Sequence, residues 1–295
     1  MSLDEITSAS LSPHCLRCVL DKFIDASPDD APWQVKADYM RGVLLTIAEG
    51  SKTMTAPEIV HELEALLERT YCIRHDLTAE KRHFNELLLG MEDELADRIR
   101  QSSDPLDLAI RLAMTGNFID FGQTGGVDER TLRGLVDGAP SMELNADSLA
   151  DLKQRMRTAK TITYLNDNCG EILLDKLLIS EVLRANPDAR ITAVVKGAPT
   201  SNDATMEDAM QVGLDTVCRV IDNGSDISGT CLTRVNEKTL EALDEADLVI
   251  SKGLANYETL SGRGPNRYFL FLCKCALYSD VFGVPIHTGM VVRGV

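Results

Sequence analysis

Thr161-Ile-Thr-Tyr-Leu165, then Asn166-Asp167-Asn168-Cys169-Gly170-Glu171, then a helical stretch over 172–185, decides the fold class. The first five residues form a short apolar run of strand length. The six that follow are polar and hold a glycine, as a turn does. Outward from this unit the pattern repeats. Apolar runs at 191–195, 217–221, 248–250 and 268–272 alternate with helical stretches at about 204–212, 237–246 and 274–282. Strands alternating with helices imply βαβ units and a mostly parallel sheet flanked by helices, an α/β domain.

Upstream the period changes to that of helices. A helix is predicted over 14–26, after Ser12-Pro13. Thr55-Ala-Pro-Glu58 reads as a capping box with an early proline. Ile59, Leu63, Leu66, Leu67 and Tyr71 then share one helical face. A second amphipathic helix spans about 80–100, with Phe84, Leu87, Leu88, Met91, Leu95 and Ile99 inward. A third starts at Asp104-Pro105 and stops near Gly116. The expected organisation is a helical N-terminal domain over 1–120, a polar, Gly-rich connecting segment over 121–150, and the α/β domain over 151–295.

The composition narrows the function. With 295 residues, 44% of them apolar and 26% charged, the chain is long enough for a sizeable core. The net charge of −16 repels phosphodiester backbones, which argues against nucleic acid as a partner. A small phosphorylated metabolite is not excluded, because a pocket can be locally positive. No apolar run approaches the roughly 20 residues a membrane span needs. The start, MSLDEITSAS, lacks a basic segment followed by an apolar one, so no signal peptide is expected and the cytoplasm is the expected location. Eight scattered cysteines in such a chain argue against a disulfide framework.

Ligands of open parallel sheets bind beyond the carboxyl ends of the strands. The predicted strands are followed there by Asn166 to Glu171; by Lys196-Gly197 and Ser201-Asn202-Asp203-Ala204-Thr205; by Asp222-Asn223-Gly224; by Ser251-Lys252-Gly253 with Asn256, Tyr257 and Glu258; and by Lys274. Carboxylate and amide oxygens are hard ligands that suit Mg²⁺ or Mn²⁺. Lysines suit phosphate oxygens. Metal and lysine at one sheet edge are what phosphoryl transfer needs. Singly, each feature also has a structural explanation. Asn168 to Glu171 and Thr205 to Asp208 both have the spacing of helix capping boxes.

Asp167-Asn-Cys-Gly-Glu171 resembles the D-N-x-G-E signature of the damage-control phosphatase family, formerly domain-of-unknown-function family eighty-nine and also labelled acidic-residue-methyltransferase-like. Cys15-Leu-Arg-Cys18 resembles the C-x-x-C of its archaeal and bacterial branch. Gly116-Asn117-Phe-Ile-Asp120 resembles its G-N-x-I-D segment. Lys196-Gly197 through Asn202-Asp203-Ala-Thr205 and Asp208 resembles its K-G-x-P-x-x-N-D-A-T-x-x-D block. Lys252-Gly-Leu-Ala-Asn256-Tyr-Glu258 resembles K-G-x-x-N-x-E. Phe271-Leu-Cys-Lys274-Cys275 resembles L-x-x-K-C, with Phe271 in place of the leucine.

The resemblance implies a helical N-terminal part packed on a Rossmann-like α/β domain. It implies a metal-dependent phosphatase of sugar phosphates or damaged phosphometabolites. Asp167, Asn168 and Asp203 would be the metal ligands, for Mg²⁺, Mn²⁺, Co²⁺ or Ni²⁺. Asn117, Lys252, Asn256 and Lys274 would line the substrate pocket. Asp167, Asp120 and Glu171 would be the catalytic carboxylates, Asp120 as general base or hydrogen-bond acceptor and Glu171 as an orienting group. Water and Asp167 both stand as nucleophile. Cys15 and Cys18 suit a structural Zn²⁺ with His14, Cys72 or His75, a redox pair, or two packed cysteines. His61, His75, His83 and His287 read as surface or capping residues. Gly122-Gln-Thr-Gly125-Gly126 and Gly262-Arg263-Gly264-Pro265 read as loops. A carboxyl methyltransferase using adenosylmethionine and a non-catalytic ligand sensor are the alternatives. Oligomeric state is open.

Overall fold

The structure, a computed structural model, describes residues 11–74, 76–118 and 129–295. Among the described residues, eight α-helices precede the sheet: Pro13–Asp25 (α1), Trp33–Gly50 (α2), Ala56–Tyr71 (α3), Thr78–Leu89 (α4), Glu92–Gln101 (α5), Pro105–Thr115 (α6), Glu129–Gly138 (α7) and Ala146–Thr158 (α8). The alternating part follows: Thr161–Leu165 (β1), Glu171–Ala185 (α9), Arg190–Val195 (β2), Met206–Gln211 (α10), Arg219–Asp222 (β3), Glu237–Asp244 (α11), Leu248–Lys252 (β4), Leu254–Leu260 (α12), Arg267–Leu272 (β5), Ala276–Phe282 (α13) and Gly289–Arg293 (β6).

The sheet order is β3-β2-β1-β4-β5-β6. β1 to β5 pair in parallel, and β6 pairs antiparallel with β5. The chain therefore builds outward from β1 through β2 to β3. It then returns to the other side of β1 to begin again with β4. Between β1 and β4 the two connections leave on opposite faces, which opens a crevice at their carboxyl ends.

Strand side chains alternate between two cores, as the pleat requires. Ile162 and Tyr164, Leu248 and Ile250, and Tyr268 and Leu270 join one core with α4–α6 and α8–α10. Leu165, Val249, Phe269 and Phe271 face the other, under α11–α13. Each such burial contributes about 1.5–3 kcal/mol. A third cluster, from Val19 to Leu67, belongs to α1–α3. The helices from α4 onward thus share a core with the sheet, whereas α1–α3 have their own.

Several elements depart from the sequence pattern. The expected helix over 80–100 is two, α4 and α5. They break at Gly90-Met91, where the Met91 amide bonds back to Leu88 O at 2.9 Å and three acidic residues, Glu92 to Glu94, open the next helix. α2 has no counterpart in the pattern. It opens on Pro32 without a side-chain cap; Tyr39, Val43, Ile47 and Gly50 are buried along one face, but Trp33, Leu44 and Leu45 are exposed, so apolar residues outside that face blur the period. The expected connecting segment 121–150 begins outside the described residues. Its described part holds α7 and the start of α8, which bury narrow stripes such as Leu132 and Val136. α12, of seven residues, is too short to show a period. β6 is an added antiparallel edge strand.

Candidate active site at the β1–β4 crevice

The loops after β1 and β2 are stitched together by backbone bonds. The Ala204 amide donates to Asp167 O at 2.7 Å and the Cys169 amide to Asn202 O at 2.9 Å. Asn168 and Asp203 form an isolated antiparallel bridge. Residues distant in sequence thereby meet beyond β1. Gly253, at the end of β4, has φ +82°, and a Cβ there would overlap the Asp167 carboxylate. Only a glycine lets the two strand ends come this close.

α4 holds the same loops from behind. Lys81 Nζ donates to Asp203 O at 2.7 Å and pairs with Asp208 at 2.8 Å. Asn85 Oδ1 accepts from the Gly170 amide at 2.6 Å, and its Nδ2 donates to Asp208 Oδ1 at 2.9 Å. Thr205 and Asp208 form the capping box read from the sequence, and Asp208 Oδ2 accepts from the Thr205 amide and from Thr205 Oγ1, each at 2.8 Å. Asn168 does not cap α9. Its Nδ2 donates instead to Asp167 Oδ2 at 2.8 Å and to Glu171 Oε2 at 3.0 Å.

Asn117 adds a second amide. Its Nδ2 donates to Asp167 Oδ2 at 3.0 Å and to Glu171 Oε2 at 3.1 Å. Asp203 Oδ1 accepts from Ser228 Oγ at 3.2 Å. Asp203 Oδ2 is buried without a hydrogen bond, although Lys196 Nζ lies 3.4 Å away. Burial, then Glu171 and Asp203, push the Asp167 carboxyl up to about 8, against the pull of Lys274 and Lys196. Burial likewise raises Asp203, against Lys196.

A divalent cation fits this donor set. Two crowded carboxylates and an amide supply hard oxygens, and one carboxylate oxygen is buried without a hydrogen bond, with only the Lys196 ammonium 3.4 Å away. The chain's own cations near Asp167 do not offset the crowding, since its carboxyl stays raised.

A model of the damage-control phosphatase ARMT1-like domain matches residues 11–288. The chain belongs to this family. A damage-control phosphatase of Pyrococcus horikoshii is 34% identical over 197 residues, 66% of this chain and 68% of that protein. An uncharacterized protein of Methanocaldococcus jannaschii is 29% identical over 303 residues, 97% of this chain and 96% of its own. The crystal structure of a DUF89 family protein from P. horikoshii matches with a TM-score of 0.76 at 26% identity, over 97% of this chain and 99% of the other.

Within this damage-control phosphatase fold the expected site residues divide. Asp167, Asn168, Asp203, Glu171 and Asn117 come together. Lys274 is half-buried on the β5–α13 connection and acts electrostatically on Asp167. Lys252 and Asn256 lie in the interior instead. Lys252 is fully buried and gives its protons to Ala113 O, Glu171 and Asp175. Asn256 donates to Lys252 O at 2.8 Å and accepts from Thr230 Oγ1 at 2.7 Å. Asp120 lies outside the described residues, as does the glycine-rich stretch 122–126.

Of three further contributors, Ser228 and Asp175 carry no role in the sequence reading, and Lys196 stands there only among the strand-end lysines suited to phosphate. Lys196 approaches Asp203 and donates to Gly229 O. Ser228 comes from the loop after β3. Asp175 binds Lys252, and its place one helical turn after Glu171 is the signal that marks it. Among the described residues the side chains named for a zinc site, one of the three readings of Cys15 and Cys18, are not grouped. Cys15 is half-buried and accepts from Ser12 Oγ at 3.2 Å, His14, Cys18 and Cys72 are exposed, and His75 is outside the described residues. Among the described residues no three or more His, Cys, Asp and Glu side chains are grouped to hold a metal ion. The β1 site has two carboxylates and an amide, because Glu171 turns to Lys252. No helix among the described residues is long and apolar enough to cross a membrane.

Proposed function

We propose that the chain is a divalent-metal-dependent phosphatase of small phosphate esters, with Asp167, Asn168 and Asp203 as its metal ligands. The observation that carries this is Asp203 Oδ2, buried without a hydrogen bond at the crevice of a damage-control phosphatase fold. Hard oxygen donors favour Mg²⁺ or Mn²⁺, and Co²⁺ or Ni²⁺ suit the same set. When bound, such an ion supplies Lewis-acid stabilisation of the phosphoryl charge and activation of the attacking water.

The chain's own residues do the rest. Asn117 and Asn168 orient Asp167. Lys196 and Ser228 orient Asp203. Lys274 is the lysine we assign to the substrate phosphate, because its charge already acts at Asp167. Glu171, locked on Lys252, serves to direct the two amides rather than to take a proton. Water is favoured as nucleophile, since Asp167 Oδ2 already accepts two amide hydrogen bonds. Asp120 stays the proposed general base.

The substrates proposed are sugar phosphates or damaged phosphometabolites, in keeping with the relatives named damage-control phosphatases. A cytoplasmic location goes with that metabolic role. The methyltransferase alternative is not favoured: the first βα turn carries Asn166 to Glu171, not a Gly-rich cofactor loop. Phosphate release from p-nitrophenyl phosphate and a sugar-phosphate panel tests the reading, with metal-stripped protein and each ion added back. Turnover restored by metal and lost in Asp203→Ala is expected. Turnover indifferent to metal would sink it.

A further inference from the structure

Lys252 closes β4, where a strand-end lysine of an open sheet faces ligand. Here it is turned fully inward. Its Nζ donates to Ala113 O at 2.9 Å, to Glu171 Oε1 at 2.5 Å and to Asp175 Oδ1 at 2.7 Å. An ammonium has three protons, so none remains for a phosphate. Burial works to lower the lysine, but Asp175 and then Glu171 outweigh it and hold it well above its ordinary value.

Asp175 is equally committed. Its Oδ1 also accepts from Tyr164 Oη at 2.7 Å, and its Oδ2 from Asn166 Nδ2 at 3.0 Å. Glu171 in turn accepts from both amides that reach Asp167. A continuous chain therefore runs from Asp175 through Lys252 and Glu171 to Asn117 and Asn168, and ends on Asp167.

The two ends of an asparagine amide are not equivalent: one donates and the other accepts. Glu171 Oε2 accepts from Nδ2 of Asn168, which leaves the carbonyl end of that amide to face away. A flipped amide would turn a donor toward a cation. Lys252 Nζ, donating to Glu171 Oε1, holds the Glu171 side chain in that place.

We propose that Lys252 and Asp175 are positioning residues. Through Glu171 they set the amides of Asn168 and Asn117, and so the oxygens offered to a divalent ion; Lys252 does not touch the substrate phosphate. This rests on Asp167, Asn168 and Asp203 being the metal ligands.

The test is Mn²⁺ titration calorimetry on the metal-stripped full chain without substrate. Wild type, Asp175→Asn, Lys252→Met and the double variant are compared, with a thermal melt of each. KM for p-nitrophenyl phosphate is then measured at saturating Mn²⁺. Each single change weakens Mn²⁺ binding by about tenfold or more, the double variant is no weaker than the worse single, and KM is unchanged. For Lys252→Met the sign is diagnostic. Removing a nearby positive charge tightens cation binding by Coulomb attraction alone, whereas loss of positioning weakens it.

A Lys252→Met protein that binds Mn²⁺ as well as wild type or better, with a raised KM, would overturn the proposal and return Lys252 to the phosphate. If that variant does not fold, Asp175→Asn decides by itself, being isosteric: unchanged affinity overturns the proposal. A wild type that binds no Mn²⁺ overturns the metal assignment and this inference with it, which separates the two failures.

Discussion

Two pairs of buried carboxylates meet at the same sheet edge, and they are balanced differently. Glu171 and Asp175 share the Lys252 ammonium between them, at 2.5 and 2.7 Å. Asp167 and Asp203 share no such cation. Lys196 lies 3.4 Å from Asp203 and acts on Asp167 only through its charge, as Lys274 does, and Asp203 Oδ2 makes no hydrogen bond. Asp175 is pushed up only to about 6, chiefly by burial with Lys252 opposing it, while Asp167 reaches about 8. The first pair is complete within the chain. In the second, burial keeps both carboxyls raised despite the nearby lysines. On the proposed reading, structural and functional carboxylates differ in what balances them, not in burial, which all four share.

The largest expected effect falls on the unbalanced pair. Asp203→Asn should lower metal-dependent phosphate release by about 10³-fold or more, since it removes a charged ligand. The same variant should raise the melting temperature of the metal-free protein, by relieving the crowding at Asp167. Mn²⁺ at about 100 times its Kd should stabilise the wild type by about 2.7 kcal/mol and this variant by much less. A metal-free variant less stable than wild type would break the contrast.

Lys252→Met tests the balanced pair from the other direction. It strands two carboxylates in the core and should cost about 3–5 kcal/mol in urea unfolding. Adding Asp175→Asn to it should recover part of that loss.

Glu258 sharpens the contrast as a carboxyl away from the ligands, raised by burial to about 7 from an ordinary 4.5. A raised folded value means the proton is favoured in the native state. Its contribution is intact below the unfolded value and is lost as pH rises toward 7. Glu258→Gln should therefore stabilise the protein at pH 8 and leave it nearly unchanged at pH 4, by thermal melts at both. Equal shifts at the two would contradict this.

Ser228→Ala carries the smallest expected effect. It removes one 3.2 Å hydrogen bond to Asp203, worth about 1 kcal/mol, and should weaken Mn²⁺ binding a few-fold by calorimetry.

Local pattern marked much of this. β1 occupies Thr161–Leu165, the run read from its apolar, β-branched residues. The Thr55-Glu58 capping box is present, with Glu58 Oε2 accepting from the Thr55 amide at 2.8 Å. Such features depend on neighbours within four residues, so the sequence suffices for them. Helices that carry apolar residues on the exposed face as well, as α2 does with Trp33, Leu44 and Leu45, leave no clear period to find. Within the site, Asp167, Asn168 and Glu171 were legible as one strand-end turn. The inward course of Lys252 was not, because a lysine after a strand looks the same whether it meets solvent, phosphate or two buried carboxylates.

The sequence by itself determined the βαβ alternation, the acidic and amide-rich strand ends and the family, because each is written in residue types at short spacing. Only the tertiary structure decided that β4 lies beside β1, that Asp203 comes against Asn168, and that Asp175, Lys252 and Glu171 form one chain of contacts. Those pairings reach from 35 residues, Asn168 to Asp203, to 86, Ile162 to Leu248, and their partners are chosen by sheet order and core packing, which no local stretch encodes.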